Sequence, residues 1–264
     1  MHSLYDAPDL YCRLFDARAE DLRFYLEVAA LWASPRVLLE VGAGTGRVTV
    51  ALARAGHEVW AVESSGPMRA ALEERLANEP PDVRTRVRVV PEDACGTSLG
   101  RRFGGVVAAF NTLAHFETDA KLTALLARVR EHLVPDGVFA FDTWNPSPRI
   151  LSGARTETPT ILHASSRSIR CTQRYAYEPI AQMLEATIEV HDELGRTTHV
   201  HALRLRQFFP RETLTLLEQH GFHVGWRTDC FAHPSAWGGE ALRDDGRVGE
   251  VLAYVTRAKG KWGT

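Results

Sequence analysis

Short apolar runs alternate with amphipathic segments between residues 36 and 142. Runs of strand length that are apolar on both faces occupy 37–41, 58–62, 87–90, 106–110 and 138–142. Such runs are typical of parallel strands covered by helices on both sides of a sheet. Helical patterns separate them at 47–55, 68–78 and 121–133, the last predicted to stop at Pro135 and Gly137. The rhythm predicts a doubly wound α/β domain.

The pattern changes after Trp144. The loop-forming residues Pro146, Pro148, Gly153 and Pro159 come first, and alternating segments then predict strands at 169–177, 183–191 and 198–208. The last two segments flank a turn containing Gly195 and predict an antiparallel hairpin. A helix from Pro210 to the stop at Gly221 and strands at 222–231 and 250–255 follow.

These segments predict three parts. Residues 1–30 form an aromatic-rich helical segment that we interpret as a lid. Residues 31–146 and 207–264 form the ligand-binding α/β domain, and residues 147–206 form an antiparallel β insertion that contributes to a substrate site.

Composition narrows the function classes. The chain has 264 residues, 45% hydrophobic, and a formal charge of -2, so it lacks the basic excess of nucleic-acid-binding proteins. Its cysteines are far apart and no leader-like segment opens the chain, which predicts a reducing cytoplasm without disulfides: Cys12, Cys95, Cys171 and Cys230. No apolar stretch is long enough to cross a bilayer.

The most informative motif joins the first strand to the first helix of the sheet. It runs Glu40-Val41-Gly42-Ala43-Gly44-Thr45-Gly46, and its glycines let the backbone turn sharply and approach a ligand closely. A dinucleotide fingerprint would need a third glycine where Arg47 stands, and the Gly-Lys-Ser/Thr of a Walker loop is absent. The motif therefore indicates a ligand without a pyrophosphate.

Acidic residues end the next two strands. Glu63 stands 21 residues after Gly42, where a carboxylate can accept hydrogen bonds from both ribose hydroxyls of a nucleoside. Asp93 follows the third strand and can accept from an exocyclic amine such as that of adenine. Both lie at the carboxyl ends of strands, where open α/β sheets bind ligands.

Together these motifs resemble those of the class I S-adenosylmethionine (SAM) dependent methyltransferases. E-V-G-A-G-T-G, A-V-E-S-S-G-P-M, E-D-A and H-L-V-P-D-G-V-F-A-F-D are similar to their successive motifs over about residues 36–145. R-Q-F-F-P-R-E-T-L-T-L-L-E-Q-H-G-F is similar to their late helix and sixth strand. The resemblance implies a Rossmann-like fold with a seven-stranded, mostly parallel sheet in the order 3-2-1-4-5-7-6, strand 7 antiparallel. It also implies SAM as cofactor and S-adenosylhomocysteine (SAH) as product.

The resemblance assigns roles to individual residues. Gly42, Gly44 and Gly46 would face the methionyl part and ribose, and Glu40 would help to fix the amino group. Glu63 would hold the ribose, Met68 would flank adenine, and Asp93 would bind its amine. The remaining cofactor positions that we expect are Ala43, Ser64, Ala94, Phe110 and Asn111.

Further segments are similar to those of small-molecule methyltransferases such as aminosugar N,N-dimethyltransferases and glycine N-methyltransferase. They are Y-D-A-P-D-L-Y-C-R-L-F-D, A-F-N-T-L-A-H-F and F-D-T-W-N-P. By this resemblance His115 lies near the methyl acceptor, as a base with an ordinary pKa of about 6.5 or as a positioning group. Tyr11, like Tyr5, is expected to close over the site and to offer its hydroxyl.

Nitrogen of a small molecule is the predicted acceptor, with oxygen and carbon as alternatives. An enzyme acting on macromolecules, a SAM-binding partner protein without an acceptor site and an NAD-linked dehydrogenase remain as competing hypotheses. We expect no nucleic-acid or membrane partner, and homodimer formation is left open. We also expect no metal, since His191, His199 and His201 lack a cysteine or carboxylate pattern and are expected to be solvated strand residues.

Overall fold

A computed structural model describes residues 2–146, 151–152, 158–164, 167–229, 231, 239–241 and 251–258. Its strands are β1 (His2–Ser3), β2 (Val37–Val41), β3 (Glu58–Val62), β4 (Val87–Val90), β5 (Phe103–Ala108), β6 (Leu133–Trp144), β7 (Thr158–Ala164), β8 (Arg167–Glu178), β9 (Met183–His191), β10 (Thr197–Arg206), β11 (Phe222–Thr228), β12 (Gly239–Ala241) and β13 (Val251–Ala258). Its α-helices are α1 (Pro8–Phe15), α2 (Glu20–Trp32), α3 (Arg47–Arg54), α4 (Gly66–Ala77), α5 (Pro81–Arg84), α6 (Asp119–His132) and α7 (Pro210–Gln219). Two 3-10 turns span Leu4–Asp6 and Thr112–His115.

The larger sheet has the order β12-β11-β13-β6-β5-β2-β3-β4. Strands β4, β3, β2, β5 and β6 are parallel, whereas β13 is antiparallel to both β6 and β11. This confirms the predicted α/β class and the predicted order of seven strands. An eighth strand, β12, pairs with β11 at the edge, and its three residues are too few to show a sequence pattern.

The central strands are buried on both faces, as their continuous apolar runs predict. On one face, Phe24 and Val28 of α2 pack with Leu38 of β2. On the other face, Leu122 and Leu125 of α6 pack with residues of β2, β5 and β6. Because β2, β3, β4 and β5 are parallel, their carboxyl ends lie at one edge of the sheet, and helices cover both of its faces.

A second sheet has the order β1-β10-β9-β8-β7. Strands β9 and β10 form the predicted antiparallel hairpin, with Ala202 opposite Thr187. The N-terminal β1 was not predicted, and it pairs in parallel with β10 through His2 and Ser3. The start of the chain is thereby attached to the insertion.

The first thirty residues divide between two locations. Leu4 and the apolar residues of α1 pack against Cys171 and Ile188 of the second sheet. Phe24 and Tyr25 of α2 are fully buried in the core of the first sheet. The segment before α2 therefore lies beside the second sheet, and its Tyr5 and Tyr11 line the cavity described below. Helix α2 packs in the core of the first sheet.

Several predicted boundaries are wrong. Pro135 and Gly137 lie inside β6, which follows α6 directly, and its first residue Leu133 pairs with Phe103 of β5. Pro159 lies in β7 and not in a loop, while Pro148, Gly153 and Cys230 are outside the described residues. Strand β5 ends at Ala108 because the next residues leave extended backbone, with φ of 57° at Phe110.

Among the helices that the structure describes, none is sufficiently long and apolar to cross a membrane.

Candidate functional site

A cavity of about 370 Å³ opens at the carboxyl ends of β2, β3 and β4. Its volume lies within the range of about 300–1,000 Å³ that is usual for small-molecule sites. The glycine-rich loop forms one wall, the segments after β3 and β4 form a second, and the N-terminal segment with the turn after β5 forms a third. Most of the predicted site residues line this cavity: Glu40, Gly42, Ala43, Gly44, Glu63, Ser64, Met68, Asp93, Ala94, Phe110, His115 and Tyr11.

The glycine-rich loop has a space beside Gly44. Its φ is +58°, and a Cβ built there would meet only the Met68 Cε, at 3.6 Å. Since Gly44 lines the cavity, larger side chains at this position would project into the space that a ligand needs.

Gly46, for which we predicted a contact with the ligand, packs against α4. It does not line the cavity. A Cβ at Gly46 would lie 2.1 Å from the Leu72 Cδ1. The absence of a side chain here lets α3 pack closely against α4.

Glu40, in β2, is buried at the base of the cavity. The Thr49 hydroxyl donates a hydrogen bond of 2.5 Å to Glu40 Oε2. Burial raises the pKa of Glu40 to about 7 because a charged carboxylate loses hydration there. The Glu40 carboxyl group is therefore partly protonated near pH 7, and a cation beside it would favour the ionised form.

Glu63, directly after β3, is held by the backbone on both sides. Its Oε2 accepts from the Gly44 N–H and its Oε1 accepts from the Ser65 N–H, both at 2.8 Å. A carboxylate has about four lone-pair sites, so further donors can still bind. The two bonds fix the Glu63 carboxylate beside the glycine-rich loop.

Asp93 lines the cavity together with Glu92, Ala94 and Lys121. Its Oδ1 accepts from the Cys95 N–H at 2.8 Å, and the residue is exposed. The exposed carboxylate is thus free to contact a ligand at the open end.

Aromatic residues line the end nearest the N-terminal segment: Tyr5, Tyr11, Phe110, His115 and Phe116. The Tyr5 hydroxyl and His115 Nε2 are hydrogen-bonded at 2.7 Å, and their rings meet edge to face. Burial lowers the pKa of His115 to about 4 and raises the pKa of both tyrosines. The pair is therefore neutral near pH 7, so our expectation of an ordinary His115 pKa near 6.5 is wrong.

Asn111, predicted as a cofactor residue, is buried between the cavity-lining residues Phe110 and Thr112. Its Oδ1 accepts a hydrogen bond of 3.0 Å from the Trp144 N–H. Asn111 thus connects the turn after β5 with the end of β6.

Arg47 is a pocket residue that sequence reasoning treated only as an obstacle to a dinucleotide site. Its guanidinium makes a bidentate ion pair with Asp21 of α2, with Nη1 and Oδ1 at 2.8 Å and a second bond from Nη2 to Oδ2. It also donates to the Arg18 carbonyl at 3.0 Å. No sequence spacing indicates this pair, since 26 residues separate its members.

The histidines of the hairpin do not form a metal site in the described chain, where no group of three or more His, Cys, Asp or Glu is arranged to hold an ion. His201 is buried and its Nδ1 lies 3.3 Å from the Ser3 carbonyl oxygen. The expectation that His201 is a solvated strand residue is therefore wrong.

Comparison with known proteins gives consistent matches. A family model described as a methyltransferase domain matches residues 39–139. The chain is 30% identical over 205 residues to dTDP-3-amino-3,6-dideoxy-alpha-D-glucopyranose N,N-dimethyltransferase of Streptomyces fradiae, covering 72% of this chain and 76% of that protein.

Two solved structures extend the match. The CcbJ methyltransferase of Streptomyces caelestis is 29% identical with a TM-score of 0.77, covering 93% of this chain and 92% of that one. The glycopeptide N-methyltransferase MtfA, complexed with S-adenosyl-L-methionine, is 28% identical with a TM-score of 0.64, covering 92% and 88%.

Proposed function

This chain belongs to the class I SAM-dependent methyltransferases, and from that premise we propose that it methylates an amine nitrogen of a small molecule. SAM is the cofactor and SAH the product. One observation carries the proposal. A single cavity is lined both by the carboxylates of Glu63 and Asp93 and by the neutral, hydrogen-bonded pair Tyr5 and His115.

The residues of the acidic wall fit the cofactor. We propose that the space beside Gly44 admits its methionyl part and that Glu40 faces its amino group. Glu63 would accept from the ribose hydroxyls and Asp93 from the adenine amine, with Met68, Ala43, Ser64 and Ala94 completing the contacts. The cavity end at Phe110, where the Arg47 guanidinium lies 5.7 Å from the ring centroid, would then face the reacting centre.

The bound cofactor supplies a methyl group on a sulfonium, which is already a good leaving group, so the protein mainly aligns the acceptor and excludes water. Tyr11 and Phe110 give this end of the cavity apolar walls. The neutral Tyr5–His115 pair offers hydrogen bonds without a charge. These surroundings favour an uncharged amine, whose lone pair is free to attack.

The insertion contributes indirectly to the acceptor end. Strand β10 contacts the Thr112–His115 turn, and β1 and α1 attach to the same sheet. We propose that the insertion and the segment before α2 together form the acceptor side of the pocket, with Tyr11 as its cover.

The relatives support nitrogen as the acceptor atom. One acts, by its name, on the amino group of a nucleotide-linked amino sugar, and another is a glycopeptide N-methyltransferase. We propose a reducing cytoplasm as the setting, because Cys12, Cys95 and Cys171 are free thiols.

A paired screen tests the proposed acceptor. The purified protein and SAM are incubated with a dTDP-linked amino sugar and other small amines, each beside the analogue in which a hydroxyl replaces the amine. We expect mass spectrometry to find methylated products from amines only. Methylation confined to hydroxyl or carbon positions, or no methylation of any amine by protein that binds SAH, would overturn the proposal.

A further inference from the structure

The loop after β5 enters the pocket through two consecutive residues in the left-handed conformation. Phe110 has φ 57° and Asn111 has φ 58°, and neither is glycine. This region is unfavourable for residues with a Cβ, and especially for a bulky side chain such as Phe. Contacts in the surrounding fold must therefore hold the turn.

Asp142, near the carboxyl end of β6, makes those contacts. Its Oδ1 accepts from the Phe110 N–H at 2.7 Å and its Oδ2 accepts from the Asn111 N–H at 2.9 Å. The side chain is buried, so these charge-assisted bonds are shielded from water. One carboxylate oxygen is thus directed at each of the two strained residues.

We propose that Asp142 is a positioning residue for the acceptor side of the pocket, since its carboxylate holds the Phe110–Asn111 turn in the conformation that presents Phe110 and His115 to the cavity. The role of Asp142 in methyl transfer rests on the proposed function. The effect of the Asp142 carboxylate on the conformation of the turn is independent of that function.

The turn carries the groups that face the acceptor. The Phe110 ring lines the cavity, with its centroid 4.9 Å from that of Phe15 and 6.3 Å from that of Tyr11. The Thr112–His115 turn follows directly and brings His115 to Tyr5. Relaxation at residues 110 and 111 would therefore move an aromatic wall and the imidazole together.

The same carboxylate connects the turn with α2. The Tyr25 hydroxyl donates to Asp142 Oδ1 at 2.5 Å. The hydroxyl is thus a third donor to this carboxylate, and it shares Oδ1 with the Phe110 N–H. Removal of the Tyr25 hydroxyl alone leaves both bonds to the turn in place.

Amide hydrogen exchange of matched variants tests the proposal. Asp142→Asn keeps the shape of the side chain but replaces one accepting oxygen with an NH2 group, which cannot accept. Thr143→Val is the control, because Thr143 is its buried neighbour and its hydroxyl has no hydrogen-bond partner among the described residues. Tyr25→Phe tests whether the carboxylate itself holds the turn.

We expect the amides of Phe110 and Asn111 to exchange at least about tenfold faster in Asp142→Asn, with those of β5 unchanged. In Thr143→Val and Tyr25→Phe their exchange should stay within about threefold of the wild type. The affinity for SAH, measured by calorimetry, should also change by less than about threefold in Asp142→Asn, since the contacts that we propose for SAH at Gly44 and Glu63 lie outside the Phe110–Asn111 turn. For an amine substrate found in the screen, its KM should rise in Asp142→Asn but not in Thr143→Val.

Unchanged exchange at residues 110 and 111 in folded Asp142→Asn would overturn the proposal, as would equally faster exchange throughout β5. A lack of any amine substrate would count against the proposed function alone, because the exchange measurement needs no acceptor. If Asp142→Asn exchanges the Phe110 and Asn111 amides faster but keeps the wild-type KM for the amine, Asp142 does not position the acceptor.

If Asp142→Asn does not fold, amide exchange of the wild-type protein at two pH values tests the same proposal. Burial raises the pKa of Asp142 to about 6. Its titratable neighbours are Tyr25 and Asp21 of α2, and Arg47 of α3 pairs with Asp21. Protonation weakens both bonds to the turn, so protection of the Phe110 and Asn111 amides should fall by about threefold or more between pH 7.5 and pH 5. Protection that stays constant relative to β5 would overturn the proposal.

Discussion

Tyr5 and His115 are 110 residues apart in the chain, yet the Tyr5 hydroxyl lies 2.7 Å from His115 Nε2 in the lining of the cavity. The contact joins the N-terminal segment to the turn after β5. It also places a buried histidine where its charged form is disfavoured.

The low pKa of His115, about 4, predicts the pH dependence of the enzyme. Above about pH 5 the imidazole is already neutral, so its titration cannot produce a rise in activity near pH 6.5. We expect His115→Asn to lower kcat/KM about 10- to 100-fold through lost positioning, with no change in the shape of the profile from pH 5 to 8. A limb near pH 6.5 that disappears in the variant would instead identify His115 as a base.

Gly44→Ala should weaken SAH binding by more than about tenfold, or about 1.4 kcal/mol, because the added methyl group enters the cavity. Gly56→Ala is the matched control. Gly56 also has positive φ, +89°, and a Cβ there would meet nothing within 4 Å. Both variants place a Cβ on a residue with positive φ and so carry backbone strain. If calorimetry shows the same loss of SAH affinity in both, backbone strain, and not the space lost beside residue 44, causes the loss.

Glu40 should release a proton when SAH binds. With a pKa of about 7 the carboxyl group is partly protonated at neutral pH, and the cationic amino group of the ligand would favour its ionised form. Calorimetry in buffers of different ionisation enthalpy should detect release of up to about half a proton at pH 7 and less at pH 8.5, where Glu40 is already ionised. Glu40→Gln should abolish the buffer dependence, and its persistence in that variant would assign the proton to another group.

Asp21→Asn should lower the free energy of unfolding by about 3–5 kcal/mol, since it leaves the Arg47 guanidinium without its charged partner in a buried site. The Arg47 and Asp21 side chains are 11% and 2% exposed. The comparison is Asp82→Asn, which breaks the Arg86–Asp82 pair, where Asp82 is 66% exposed. We expect that variant to cost less than about 1 kcal/mol in urea denaturation. A similar loss of unfolding free energy in Asp21→Asn and Asp82→Asn would contradict the idea that burial makes the Arg47–Asp21 pair important.

Local patterns were sufficient for much of the fold. The continuous apolar runs predicted β2 and β3 with the bounds observed, because a buried parallel strand needs apolar residues on both faces. The bounds of β4, at the edge of the sheet, were also predicted, although Arg88 within it is exposed. The glycine-rich loop, Glu63 and Asp93 were placed on one cavity because they follow neighbouring strands. Strands β1 and β12 were missed, since two or three residues show no periodicity and depend on the partner strand for their conformation. Strand β7 was missed because Pro159 was interpreted as a loop residue.

The sequence by itself determined the α/β class, the family and most of the predicted residues that line the cavity, because each depends on neighbours in the chain and on the ends of adjacent strands. Only the tertiary structure decided the state of His115, the ion pair of Arg47 and the role of Asp142. Burial and hydrogen-bonding partners set those properties, and the partners Tyr5, Asp21 and Phe110 come from distant parts of the chain. Gly46 shows the same distinction within one motif, because the side chain of Leu72, and not the spacing of glycines, determines what its missing Cβ allows.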